Sequence, residues 1–228
     1  MLGKTSKIII VLFLLTSLLY LSLLPFIQYP VTTVLKPMPI IFLIILVWQS
    51  MAKSSVRLLL YAALGCSLLG DVILTLPIRM ALEGGILSFM LAHCAYIVLY
   101  YQDSRFQIKR LFYFSIVLLF IACSYWYLSF YLGNMLIPVS IYLLFLTLMV
   151  FSAFQVQQNA AFIIGGACIF LSSDFILALN QFVFLNHPLA NFLVMLSYFM
   201  AQFLLVYGLS QRQHREESFQ GSTDTPSL

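Results

Sequence analysis

The chain has 228 residues, of which 63% are hydrophobic and only 8% charged, and its formal net charge is +4. A soluble domain carries about 25% charged residues, so a chain with a mean hydropathy of +1.04 cannot cover its surface in water. A soluble fold is excluded, no basic cluster outside the short loops points to nucleic acid, and one compact, all-α, polytopic membrane domain is expected.

The N-terminal stretch MLGKTSKIIIVLFLLTSLLYLSLLPF starts with lysines and continues as an apolar run. That run is longer than the core of a signal peptide and no small-x-small site follows it, so an uncleaved first span is expected. A spanning helix needs about 20 mainly apolar residues. Cutting the chain at its polar, Pro and Gly punctuation predicts eight spans, at 7–25, 32–51, 56–77, 84–102, 109–128, 134–153, 160–180 and 187–209. Short links such as QDSRFQIK and FQVQQNA join them. The transmembrane domain is expected over 1–210, and the polar stretch 211–228 is expected to be a disordered tail.

With the N-terminus placed in the cytoplasm, one side holds Lys4, Lys7, Lys53, Arg57, Arg105, Lys109, Arg110, Arg212 and Arg215, and the other loops hold Arg79. The positive-inside rule then predicts cytoplasmic N- and C-termini, in keeping with an even number of spans. The inner membrane is the expected location if the chain is bacterial. Cys66, Cys94, Cys123 and Cys168 all fall in apolar segments without a C-x-x-C pair, and read as small packing residues.

Two of the spans contain a carboxylate. LLGDVIL (68–74) and LSSDFIL (171–177) each set one aspartate in an apolar run, with a small residue before it and Ile-Leu near the end. Spans 3 and 4 resemble spans 7 and 8 and run in the same direction, the pattern of a weak parallel repeat. At 1.5 Å per residue, Asp71 and Asp174 are each expected about six residues, roughly 9 Å, before the outer end of their span. Lys36, His93 and Tyr198 enter from that same side, and Asn180 ends span 7. The polar groups therefore gather in the outer half of the bilayer, and form one chamber if they also converge laterally.

A charged Asp at a helix centre costs about 2.5–3.5 kcal/mol on insertion scales. Two of them, with Lys36 and His93 at a similar depth, point to function more than to helix packing, although helix–helix hydrogen bonds would use the same residue types. Neighbouring carboxyls can divide into an acid and a base, which suits hydrolysis and equally suits proton relay in a transporter. His93 and Tyr96 share a helix face, as do Tyr198 and Gln202. Arg79, Glu83 and His187 read as interfacial. Phosphate-loop, metalloprotease and nucleophile-elbow motifs are missing from the sequence, so no cofactor and no metal are expected.

The strings LKP (35–37), LGDVIL (69–74), FMLAHCAY (89–96), SSDFILALNQF (172–182) and YFMAQFLLVYG (198–208) together resemble the YhhN-like membrane proteins, a family that includes the lysoplasmalogenases. The resemblance runs from span 2 to span 8 and implies an eight-helix bundle. The implied reaction is hydrolysis of the vinyl ether bond of a lysoplasmalogen, giving a fatty aldehyde and glycerophosphoethanolamine or glycerophosphocholine. The implied partners are the lysophospholipid and the surrounding lipids. Asp71 and Asp174 match the family's two membrane aspartates as an expected catalytic dyad. Lys36, His93, Tyr96, Asn180, Tyr198 and Gln202 match its supporting polar positions. Gln181, where a basic residue is common, and Ala92, where a Gly often precedes the His, depart from the pattern and bear on substrate choice. In the implied mechanism one aspartate protonates the vinyl ether carbon while the other stabilises the cation and orients water. A proton-coupled transporter using the same Asp and Lys groups is the alternative, and a structural or chaperone-like role is a third.

Overall fold

In the computed structural model, residues 3–223 are described, with side chains as far as Gln211. Nine α-helices occur among the described residues: α1 (Lys4–Leu23), α2 (Val31–Leu35), α3 (Met38–Ser50), α4 (Ser55–Ile73), α5 (Ala81–Tyr101), α6 (Ile108–Ser129), α7 (Leu136–Gln155), α8 (Ala160–Phe182) and α9 (Pro188–Thr223). Eight stretches among them are long and apolar enough to cross a membrane, with α2 and α3 making one of these and α9 contributing Pro188–Gln211. The protein is an integral, multi-pass, all-helical membrane protein. The tail expected at 211–228 falls largely on residues whose side chains, and at 224–228 whose backbone, lie outside the described residues.

Span 2 was expected as one helix. It is broken at Lys36–Pro37, where proline removes a backbone donor and its ring crowds the preceding turn. The break leaves Lys36 at the joint between two helical pieces. The aspartates also differ in their distance from the helix ends, which was expected to be about six residues for both. Asp71 lies in the last turn of α4, whereas Asp174 lies two turns before the end of α8. Leu74–Leu76 leave the helix as tight turns, with the Thr75 amide donating to Val72 O and the Leu76 amide to Ile73 O. Pro77 follows directly, and a residue before proline is pushed out of helical geometry. α8 has no such stop and runs on through Asn180 to Phe182.

The closest helix pairs are α4 with α5 and α8 with α9, and α7 joins the two pairs through α5 and α8. Gly166 allows the α8–α9 approach, because a Cβ there would stand 2.8 Å from the Leu205 side chain and 3.2 Å from the Ala201 carbonyl. α6 packs more loosely, against α7 and α8. Its buried residues are Phe114, Ile121 and Leu128, a seam one residue wide that recurs every second turn.

One end of this four-helix region is tied. The Arg105 amide donates to Gln155 O (3.0 Å), the Gln157 amide to Asp103 O (3.2 Å) and the Gln107 amide to the Gln155 side chain (2.9 Å). The Arg110 guanidinium donates to the carbonyls of Phe154 and Val156. Towards the other end, α5, α6, α7 and α8 separate around an open cleft.

Candidate functional site

The polar residues of the spans form two networks. The first centres on Asp71, whose side chain is 1% exposed. The Lys36 ammonium stands 3.4 Å from Oδ1, and the Tyr198 hydroxyl donates to Oδ2 at 2.8 Å. Gln202 extends the network: its amide donates to Ser67 Oγ (3.0 Å), and its oxygen accepts from the Tyr96 hydroxyl (2.8 Å). α3, α4, α5 and α9 are thus joined, or approached at the Lys36 joint, by side chains that satisfy one another in a medium without water.

The second network centres on Asp174, whose side chain is 13% exposed. The Tyr142 hydroxyl, from α7, donates to Asp174 Oδ2 at 2.5 Å. His93 Nε2 is 3.0 Å from that same hydroxyl and 3.8 Å from Asp174 Oδ2. No hydrogen bond joins Asp71 to Asp174 among the described residues. An aromatic wall stands between the networks. Phe89 and Phe170 each meet the Tyr198 ring edge-on, at 5.8 and 5.7 Å, and Phe170 also meets His93 at 5.1 Å. Gly70 makes room for this wall, since a Cβ there would stand 2.7 Å from the Phe89 ring. In place of the one chamber that full lateral convergence would make, there are two polar clusters on either side of phenylalanines, and the two aspartates are not a contacting pair.

Only the second cluster reaches the cleft. Asp174 and Tyr142 line it, with Ser124, Tyr125 and Gln181 as its other polar residues, while most of the wall is Leu, Ile and Phe. Its lining runs from Leu171 to Phe182 on α8, about 16 Å along the helix. Leu74, Leu82, Leu128 and Val139 lie toward the α4–α5 and α6–α7 turns, which places the cleft in one half of the spans.

Lys36, Tyr96, Tyr198 and Gln202 come together with Asp71. His93 is drawn to Asp174 instead. Asn180 joins neither: its side chain bonds to Asn191 (2.6 Å) and accepts from the His187 amide (2.8 Å), holding the α8–α9 loop. Sequence reasoning missed Tyr142, Ser67 and Asn191. Tyr142 is one of 13 tyrosines, and its signal is position: two turns into its helix, it enters the membrane from the same side as His93.

The family model described as YhhN matches residues 31–209. The chain belongs to the YhhN family. It is 32% identical to the lysoplasmalogenase TMEM86B of Rattus norvegicus over 179 residues, covering 77% of this chain and 71% of the relative. It is 31% identical to the lysoplasmalogenase TMEM86B of Mus musculus over 180 residues, covering 77% and 74%. No solved structure matches. The matched region of this YhhN-family chain starts at Val31 and so takes in both networks and every wall of the cleft, leaving out α1.

Proposed function

We propose that the protein is an intramembrane lysoplasmalogenase, hydrolysing the vinyl ether bond of a lysolipid to a fatty aldehyde and a glycerophospho-alcohol. The observation that carries this reading is one carboxyl group, Asp174, set in the wall of a largely apolar cleft between helices. The names of the mammalian relatives support it. Position next to the reacting atom comes before any other requirement on an acid. Asp174 is therefore the proton donor, and its proton goes to the vinyl ether carbon beta to oxygen. The resulting oxocarbenium ion takes water, and the hemiacetal collapses to aldehyde and alcohol. Asp71 does not line the cleft, and with Lys36 and Tyr198 it ties α4 to the span 2 joint and to α9, and α4 and α9 pack on the helices α5 and α8 that carry His93 and the aromatic wall. The lysolipid chain enters sideways between helices. By the charge distribution the cleft lies in the outer half of a cytoplasmic-type membrane.

The test is aldehyde release from a lysoplasmalogen in detergent, with no ion gradient. The wild-type protein is expected to turn over, and the folded Asp174→Asn protein to lose at least about 100-fold, the scale of general-acid catalysis. Asp71→Asn is expected to lose activity together with thermal stability. Wild-type-like turnover by folded Asp174→Asn would reject the mechanism. The transporter reading rests on the interrupted span at Lys36–Pro37, since discontinuous helices recur in transporters, and it requires gradient-driven flux in liposomes in place of turnover.

A further inference from the structure

Tyr142 has one hydroxyl hydrogen and two lone pairs. The 2.5 Å bond uses the hydrogen on Asp174 Oδ2. With the hydroxyl hydrogen on Asp174, His93 Nε2, 3.0 Å from the same oxygen, is placed to donate as the Nε2–H form of the ring. His93 Nδ1 is buried without a hydrogen-bond partner, so nothing else holds this ring by that edge. Asp174 Oδ1, in contrast, has no hydrogen bond to the protein among the described residues, and its side chain is the more exposed of the two membrane aspartates. The carboxyl has one oxygen engaged by Tyr142 and one without a hydrogen bond to the protein among the described residues, on a side chain that lines the cleft.

We infer that Tyr142 is a positioning residue for Asp174: its hydroxyl, held from behind by His93, occupies Oδ2 and leaves Oδ1 as the oxygen that carries the transferable proton. The inference rests on the proposed hydrolase reading. During the reaction the Oδ1 proton passes to the beta carbon, where the π pair of the vinyl ether forms the new C–H bond. Asp174 is left as a carboxylate. The Tyr142 O–H, which stays on its oxygen, strengthens against that developing charge, because hydrogen bonds to ionised acceptors are the stronger ones. Water adds to the oxocarbenium carbon and returns a proton to Asp174. In the cleavage of the hemiacetal C–O bond the Asp174 proton passes to the departing alcohol oxygen, and the hemiacetal hydroxyl proton returns to the carboxylate so formed, which restores the acid as the aldehyde C=O forms. Protons and electrons balance with water as the co-reactant. A donor whose bond strengthens only as charge develops acts on kcat more than on binding.

The experiment compares Tyr142→Phe, His93→Leu, His93→Gln and Asp174→Asn with wild-type protein in the aldehyde assay, and follows each by thermal melting. Tyr142→Phe is expected to lower kcat by about 10- to 100-fold, the weight of one hydrogen bond to a charged oxygen, with KM within about twofold of wild type. His93→Gln keeps a donor for the tyrosine oxygen and is expected to lose less than His93→Leu. Unchanged kcat in Tyr142→Phe, or a rise in KM with kcat intact, overturns the inference. If Tyr142→Phe does not fold, the histidine pair decides, and equal losses in Gln and Leu overturn it. An inactive Asp174→Asn beside a fully active Tyr142→Phe rejects the positioning role and leaves the hydrolase reading standing. A folded wild-type protein that releases no aldehyde rejects both.

Discussion

Lys36 and Asp71 face each other at 3.4 Å with almost no solvent around them. Removing one partner of a buried pair leaves the other charge uncompensated, at a cost of about 3–5 kcal/mol, whereas replacing both is often neutral. Lys36→Met is therefore expected to lower the melting temperature sharply. Lys36→Met/Asp71→Asn is expected to recover much of the loss, and thermal denaturation in detergent measures both. A double variant no more stable than the single one would show that the pair is not the link between the span 2 joint and α4. At this scale the sequence was informative where charge was involved, since an Asp or a Lys in an apolar run has few reasons to be there. It was silent on Tyr142, because a tyrosine inside a span serves packing, interface anchoring or hydrogen bonding alike, and only the 2.5 Å contact with Asp174 separates these.

The helices were legible as spans and less so as shapes. Each observed span lies within a few residues of its expected segment because its punctuation is local: Pro, Gly and charged links. The break at Lys36–Pro37 and the early end of α4 at Ile73 also come from local residues, but their effect is to move side chains relative to the membrane, which a count of apolar residues does not register. The cleft was not legible at all. It arises because α6 keeps a narrow seam against α7 and α8 while the loops at the opposite end hold the region together. Ala178 lines this cleft about one turn beyond Asp174. Ala178→Trp is expected to raise KM for long-chain lysolipids by at least about tenfold, the effect of about 1.4 kcal/mol, and to affect short-chain substrates less. Assays across a chain-length series check this, and equal loss for every length would place the chain elsewhere.

For the whole molecule, the fold class was readable from composition alone, since no other arrangement satisfies backbone polar groups in lipid except helices and closed barrels. Orientation rests on the basic residues at Lys53, Arg57, Arg105, Lys109 and Arg110 set against Arg79 on the other side. Reporter fusions in the α4–α5 and α6–α7 turns are expected to report the non-cytoplasmic side, and fusions in the α5–α6 loop the cytoplasm. The reverse pattern would turn the cleft toward the inner leaflet. The lateral convergence of the polar groups was not readable, because depth along a helix says nothing about which neighbour it faces. The two networks came into being only when α9 met α4 and α7 met α8.

Each aspartate is held across the molecule. Asp71, on the first helix of the α4–α5 pair, is bonded by Tyr198 from α9, and Asp174, on the first helix of the α8–α9 pair, is served by His93 from α5 through Tyr142. A half-molecule of four spans would keep Lys36 beside Asp71, or Tyr142 beside Asp174, but would lose the group that reaches its carboxylate from the other half. Two identical halves lying side by side in the same direction would supply each other's missing partner.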